Sequence, residues 1–137
     1  MAAGVALGYD WLYADLKPET RANAERALRE YAFDTAEPYG SSFYNKVSNW
    51  NQVCNAGLVC GALAVYETCP EKAEAIIEKS LESNRTAIEA LYAPHGNYPE
   101  GYGYWEYGTV FNVLMLTALE TAAGSDANIS ATAGFDR

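Results

Sequence analysis

The sequence predicts an all-α protein whose helical hairpins form part of an (α/α) toroid or barrel. Apolar residues recur at helical spacing in several long segments, and no stretch alternates with the period of a strand. Segments that are apolar all round also alternate along the chain with amphipathic ones. A helix apolar all round must be surrounded, whereas an amphipathic helix covers a surface. Alternation therefore predicts an inner and an outer layer.

The elements follow in order. Ala2 to about Asp15 carries Val5, Leu7, Tyr9, Trp11, Leu12 and Tyr13 and reads as a mostly buried helix. "LKPETRANAERALREYAF" is amphipathic: Ala24, Leu28 and Tyr31 share a face, with Arg21, Glu25, Arg26, Arg29 and Glu30 elsewhere. Pro18 and Glu19 suit its first turn. Residues 33–48, with Pro38, Gly40, Ser41 and Ser42, read as a long irregular stretch of the kind that often carries function. "NWNQVCNAGLVCGALAVYE", 49–67, is a third helix, uncharged until Glu67 and rich in small residues that imply close backbone packing. "PEKAEAIIEKSLESNRTAIEALY", 70–92, opens on Pro70 and places Ile77, Leu81, Ile88 and Leu91 on its apolar face. A tyrosine-rich loop, 93–108, precedes a fifth helix, 109–124, apolar nearly all round and stopped by Gly124. The third and fifth helices should be the most buried. Five helices are too few to close a ring, so residues 1–137 read as a single helical domain that is a fragment of a larger toroid. A compact helical bundle is the alternative.

Half of the 137 residues are hydrophobic, which excludes a disordered chain, and a net charge of −9 argues against nucleic acid or an anionic membrane as partner. Cys54, Cys60 and Cys69 match no zinc spacing, and a single histidine cannot complete a site. No metal or cofactor is expected, and the cysteines read as buried or partly buried thiols. No signal peptide is visible, and no run is long enough to span a bilayer.

Two stretches carry candidate chemistry. Ser48, Asn51 or Gln52, and Asn55 form a polar stripe on the first turns of the apolar third helix. They either cap the helix and bond locally or face a cavity, where uncharged amides could hold a carboxylate or a sugar hydroxyl. "YPEGYGYWEYGTVF", 98–111, crowds Tyr98, Tyr102, Tyr104, Trp105 and Tyr107 too densely for one helical face. The rings either fold back over the core or present flat faces to sugars and a phenol for proton transfer.

"NWNQVCNAG", "YAPHGNYPEGYGYWEYGT" and "ALETAAG", preceded by "GYDWLYADLKPETR", resemble the heparinase II/III-like family of polysaccharide lyases, over a span from about Tyr9 to Phe135. That resemblance implies an incomplete α/α toroid, followed in the family by β-sandwich domains that this chain lacks. It implies β-elimination on uronic-acid-containing polysaccharide. An amide or imidazole bonds the uronate carboxylate and stabilises the enolate-like intermediate, and a tyrosine moves the proton. By motif position, Asn51 is the candidate neutraliser, with Asn49 second. Tyr107 is the candidate tyrosine, with Tyr104 second. Asn49, Gln52, Asn55, Tyr102, Trp105 and Glu100 are the candidate substrate-binding residues. The pair Asn51 and Tyr107 would share one rim of the toroid.

The implied partner is an acidic polysaccharide or oligosaccharide, and the implied compartment is periplasmic or secreted. His95 lies where relatives commonly show an acidic residue and reads as a loop residue; the family's histidine comes from outside this region. The negative charge fits an anionic substrate poorly, unless basic residues come from other parts of the protein. Exposed inner-helix surface in an open toroid would invite self-association. Two other functions compete: an α/α-barrel glycoside hydrolase using Glu100 with Glu106 or Asp10, and a noncatalytic carbohydrate-binding or interaction module.

Overall fold

The computed structural model describes residues 1–39 and 41–135, and among these every regular element is helical. In chain order they are α1 (Ala2–Trp11), α2 (Pro18–Ala27), a π-helical turn (Leu28–Phe33), α3 (Asp34–Tyr39) and α4 (Ser41–Tyr44). Then come α5 (Asn49–Ala64), a 3-10 turn (Tyr66–Thr68), α6 (Pro70–Tyr92) and α7 (Tyr102–Ala123). None of the described helices is long and apolar enough to cross a membrane.

α5 is the hub. It packs against α1, α6 and α7, and most of its residues are buried. Its small residues admit the neighbours. A Cβ on Gly57 would sit 3.5 Å from Ala2 Cβ of α1, and one on Gly61 would lie 3.2 Å from Leu28 Cδ2 and 3.3 Å from Phe33 Cε1. Replacing Gly61 would therefore push on two core side chains at once. Two apolar clusters result. One gathers Tyr9, Leu28, Phe33, Leu58, Val65 and Ile76 around the α1 side of α5. The other gathers Val59, Ile88, Leu91, Tyr92, Met115 and Leu119 between α5, α6 and α7.

Several expectations are corrected. The inner-layer alternation does not hold: α5 alone is enclosed, while α1 buries only Ala3, Ala6 and Tyr9 and leaves Trp11 exposed. α7 exposes Tyr102, Tyr104, Tyr107, Val110 and Val113, and is no more buried than α6. Tyr31, expected on the inward face of the second helix, is exposed. The π-helical turn supplies the reason. It adds one residue to the turn, so the buried Leu28 is followed on the inward face by Phe33 and Tyr31 swings outward. The stretch expected to be irregular holds α3 and α4, with Gly40 outside the described residues. α1 ends at Trp11, not near Asp15.

α6 keeps its expected limits, with Pro70 in the first turn. Its buried stripe includes Ser80 and Asn84 as well as Ile88 and Leu91. Asn84 is satisfied by a reciprocal amide pair with Asn112 of α7, at 3.0 and 3.1 Å. α7 starts seven residues earlier than the sequence implied, at Tyr102, and stops at Gly124, whose φ of +70° is the left-handed cap. Residues 125–135 then fold back. Asp126 accepts from the Asn128 and Ser130 amides, Ile129 is buried, and the Phe135 ring meets Tyr92 edge-on at 5.0 Å.

Candidate functional site

The N-terminal end of α5, the loop 93–101 and the first turns of α7 meet at one edge of the molecule. α5 begins without a side-chain cap from Ser48. Its first residue is instead held by Glu100, fifty-one positions away: the Asn49 backbone N–H donates to Glu100 Oε2 at 2.6 Å, and Asn49 Nδ2 donates to Glu100 Oε1 at 3.0 Å. A carboxylate here also meets the positive end of the helix dipole. Glu100 is followed by Gly101, whose φ of +83° reverses the chain so that α7 can start at Tyr102.

Inside this contact runs a hydrogen-bonded chain. Tyr98 donates to Gln52 Oε1 at 2.6 Å, and Gln52 Nε2 donates to the Tyr92 hydroxyl at 3.0 Å. The Tyr92 hydroxyl lies 2.6 Å from Thr109 Oγ1, which gives its own proton to the Trp105 carbonyl at 2.5 Å. Tyr98 is also 3.2 Å from Glu100 Oε2. Burial, and after it the negative charge of Glu100, push the Tyr98 phenol far up; burial raises Tyr92 as well. Both phenols stay protonated at neutral pH, and their hydrogen bonds hold the loop.

Asn51 and Asn55, on the side of α5 facing α4 and α6, belong to a different set of contacts. Asn51 has no exposed surface. Its Nδ2 faces the Phe43 and Tyr44 carbonyls at 3.2 and 3.3 Å and Ser83 Oγ at 2.8 Å, and its Oδ1 accepts from Asn55 Nδ2 at 2.9 Å. Asn55 Nδ2 also reaches Ser83 Oγ at 3.1 Å. These amides join the hub helix to α4 and α6, neither capping α5 nor lining an open cavity. Gln52 is just as buried but points to the tyrosines. The structure thus brings Asn49 to Glu100 and Gln52 to Tyr98. It does not bring Asn51 to the surface that carries Tyr104 and Tyr107.

The expected loop aromatics sit on α7. Tyr102 is 74% exposed, Tyr104 56% and Tyr107 48%, and Trp105 is half-buried. The Tyr104 and Tyr107 hydroxyls have no hydrogen-bond partner among the described residues; the Tyr107 ring leans edge-on against Phe111 at 5.2 Å. Tyr102 and Trp105 lie 5.6 Å apart at an interplanar angle of 35°. They border an open groove of about 410 Å³ with Gly96, Asn97, Tyr98, Pro99 and Gly101. His95 is an exposed loop residue beside it.

Asp10, by contrast, lines cavities at the other end of α5, with Leu63 and Ala64. Glu100 holds the N-terminal end, and 16 helical residues span roughly 24 Å. Asp10 and Glu100 are therefore too far apart for a hydrolase pair, which needs carboxylates within about 10 Å. An apolar cavity of about 560 Å³ between α1, the π turn and α5 contains none of the predicted site residues.

Sequence reasoning missed Tyr92, Thr109 and Gly108 as parts of this site, and it named Tyr98 only as one of the crowded rings. A Cβ on Gly108 would fall 2.2 Å from Gln52 Oε1 and 3.1 Å from the Tyr98 hydroxyl, so the bare backbone there is what lets Gln52 reach both phenols. The available signal was a glycine in a helix otherwise rich in large side chains. No protein-family model and no curated protein matches the chain.

Proposed function

We propose that the chain is the helical, toroid-type part of a polysaccharide-lyase-like protein, and that the Gly96–Trp105 edge holds saccharide. The observation that carries this is the pairing of Tyr102 and Trp105 over an open groove whose loop is tied down by Glu100 and Tyr98. Flat aromatic faces and a carboxylate with an unused acceptor site suit a sugar ring and its hydroxyls. A loop fixed before binding loses little further freedom on binding.

For elimination the reading uses Tyr107, with Tyr104 second, as the phenol that moves the proton; both are solvent-accessible. Asn51 is an interior amide in this reading, and the group that bonds the uronate carboxylate comes from another part of the protein. Acidic polysaccharide remains the proposed substrate of the whole protein. The buried Asn51 favours a second reading, a saccharide-binding module without turnover.

The discriminating experiment mixes uronate polymers with the protein that contains this segment, and separately with residues 1–137. We expect ultraviolet absorbance from unsaturated products with the former and none with the latter. Binding without absorbance in either case would replace the lyase reading by the noncatalytic one. New reducing ends without absorbance would indicate a hydrolase.

A further inference from the structure

We infer that the Tyr98–Trp105 groove takes an uncharged sugar ring and rejects a uronate ring. This rests on the saccharide reading above and names the ligand of that same edge.

The first observation is the charge map. Between Arg85 and Arg137 the sequence contains no lysine or arginine, so the segment that builds the groove has His95 as its one basic side chain. The same interval contains Glu89, Glu100, Glu106, Glu120, Asp126 and Asp136. Neither ion pair among the described residues involves Glu100 or Glu106.

The second observation is how Glu100 is used. A carboxylate offers about four acceptor positions. Two face protein donors, Asn49 N at Oε2 and Asn49 Nδ2 at Oε1, and the Tyr98 hydroxyl stands 3.2 Å from Oε2 with its proton on Gln52 Oε1. The second position on Oε1 is unused, and Glu100 is exposed between Pro99 and Gly101, which line the groove. That position can accept only from a donor, which a neutral sugar supplies as a hydroxyl. A uronate carboxylate would place a second negative charge beside it, and residues 86–136 supply no lysine or arginine to offset it.

Third, the contacts left to the ligand are ring faces. Tyr102 and Trp105 present stacking surface, and Asn97 is an exposed amide able to donate and accept. In a mixed polymer this groove would hold the neutral units, and the uronate units would lie against basic groups elsewhere.

The test is calorimetric titration of residues 1–137 with two probes, an uncharged hexasaccharide of β-1,4-linked glucose and hexagalacturonate. At low salt the neutral probe is expected to bind about tenfold tighter, from like-charge repulsion at contact distance. The gap should narrow as salt screens the charges. Tyr102→Ala should weaken the neutral probe about three- to tenfold. Glu100→Gln, with its fold checked by circular dichroism, should weaken the neutral probe and strengthen the acidic one. Equal or tighter binding of hexagalacturonate would overturn the inference while leaving the saccharide reading in place. Binding of neither probe would remove that reading and the inference with it. Neutral binding untouched by Tyr102→Ala would also overturn the inference, by placing the ligand elsewhere.

Discussion

Gln52→Ala is expected to lower the unfolding free energy by about 2 to 4 kcal/mol, the combined cost of a cavity and broken buried hydrogen bonds. Gln52 is fully buried and bridges Tyr98 and Tyr92 through opposite ends of one amide. Alanine removes both contacts and leaves an empty space above Gly108. Tyr98 can turn to Glu100, and Tyr92 keeps Thr109, which limits the loss. The loop 93–101 should loosen along with the global effect, because Tyr98 is its inward anchor. Urea unfolding followed by circular dichroism reads the change. A loss below about 1 kcal/mol, the net value of an ordinary hydrogen bond, would show that the bridge contributes little.

On the proposed lyase reading, Tyr107→Phe is expected to cut turnover of the protein that contains this segment by roughly 10² to 10⁴, the usual effect of losing a general acid or base. The same change should leave folding nearly untouched, since it deletes one exposed oxygen with no partner among the described residues. The ring should hold its place against Phe111. Steady-state kinetics on Tyr107→Phe and Tyr104→Phe separate the candidates. Near-normal turnover in the first and a dead second variant would move the role to Tyr104. Near-normal turnover in both would leave the two phenols as parts of the binding surface.

The helical class was legible because helix periodicity and terminal prolines are local signals. Pro70 marked the start of α6, and the last apolar pair, Leu91 and Tyr92, marked its end. The π turn was not legible. It changes register without changing composition, so the sequence predicted Tyr31 inside where Phe33 is. The start of α7 was misread because glycines at 101, 103 and 108 look like loop residues. Only Gly101 has a conformation that requires glycine; Gly108 is small because Gln52 occupies the space beside it.

The candidate site was half legible. Its residue types stood out: amides at the start of α5 and dense aromatics near Glu100. The partnerships did not. Asn49 finds its carboxylate fifty-one positions away, and only packing decides that Gln52 turns toward Tyr98 while Asn51 turns toward Ser83. Asn51 and Gln52 are adjacent, yet they bond to different neighbours.

We propose saccharide binding at the Gly96–Trp105 edge. Its most direct test is an amide chemical-shift titration of residues 1–137 with the uncharged hexasaccharide. The largest shifts are expected on Gly96 to Trp105 and on the Trp105 indole N–H, with Glu100 and Asn49 moving together. Shifts confined to the apolar cavity around Val5, Leu28 and Cys54, or no shifts at any residue, would contradict it.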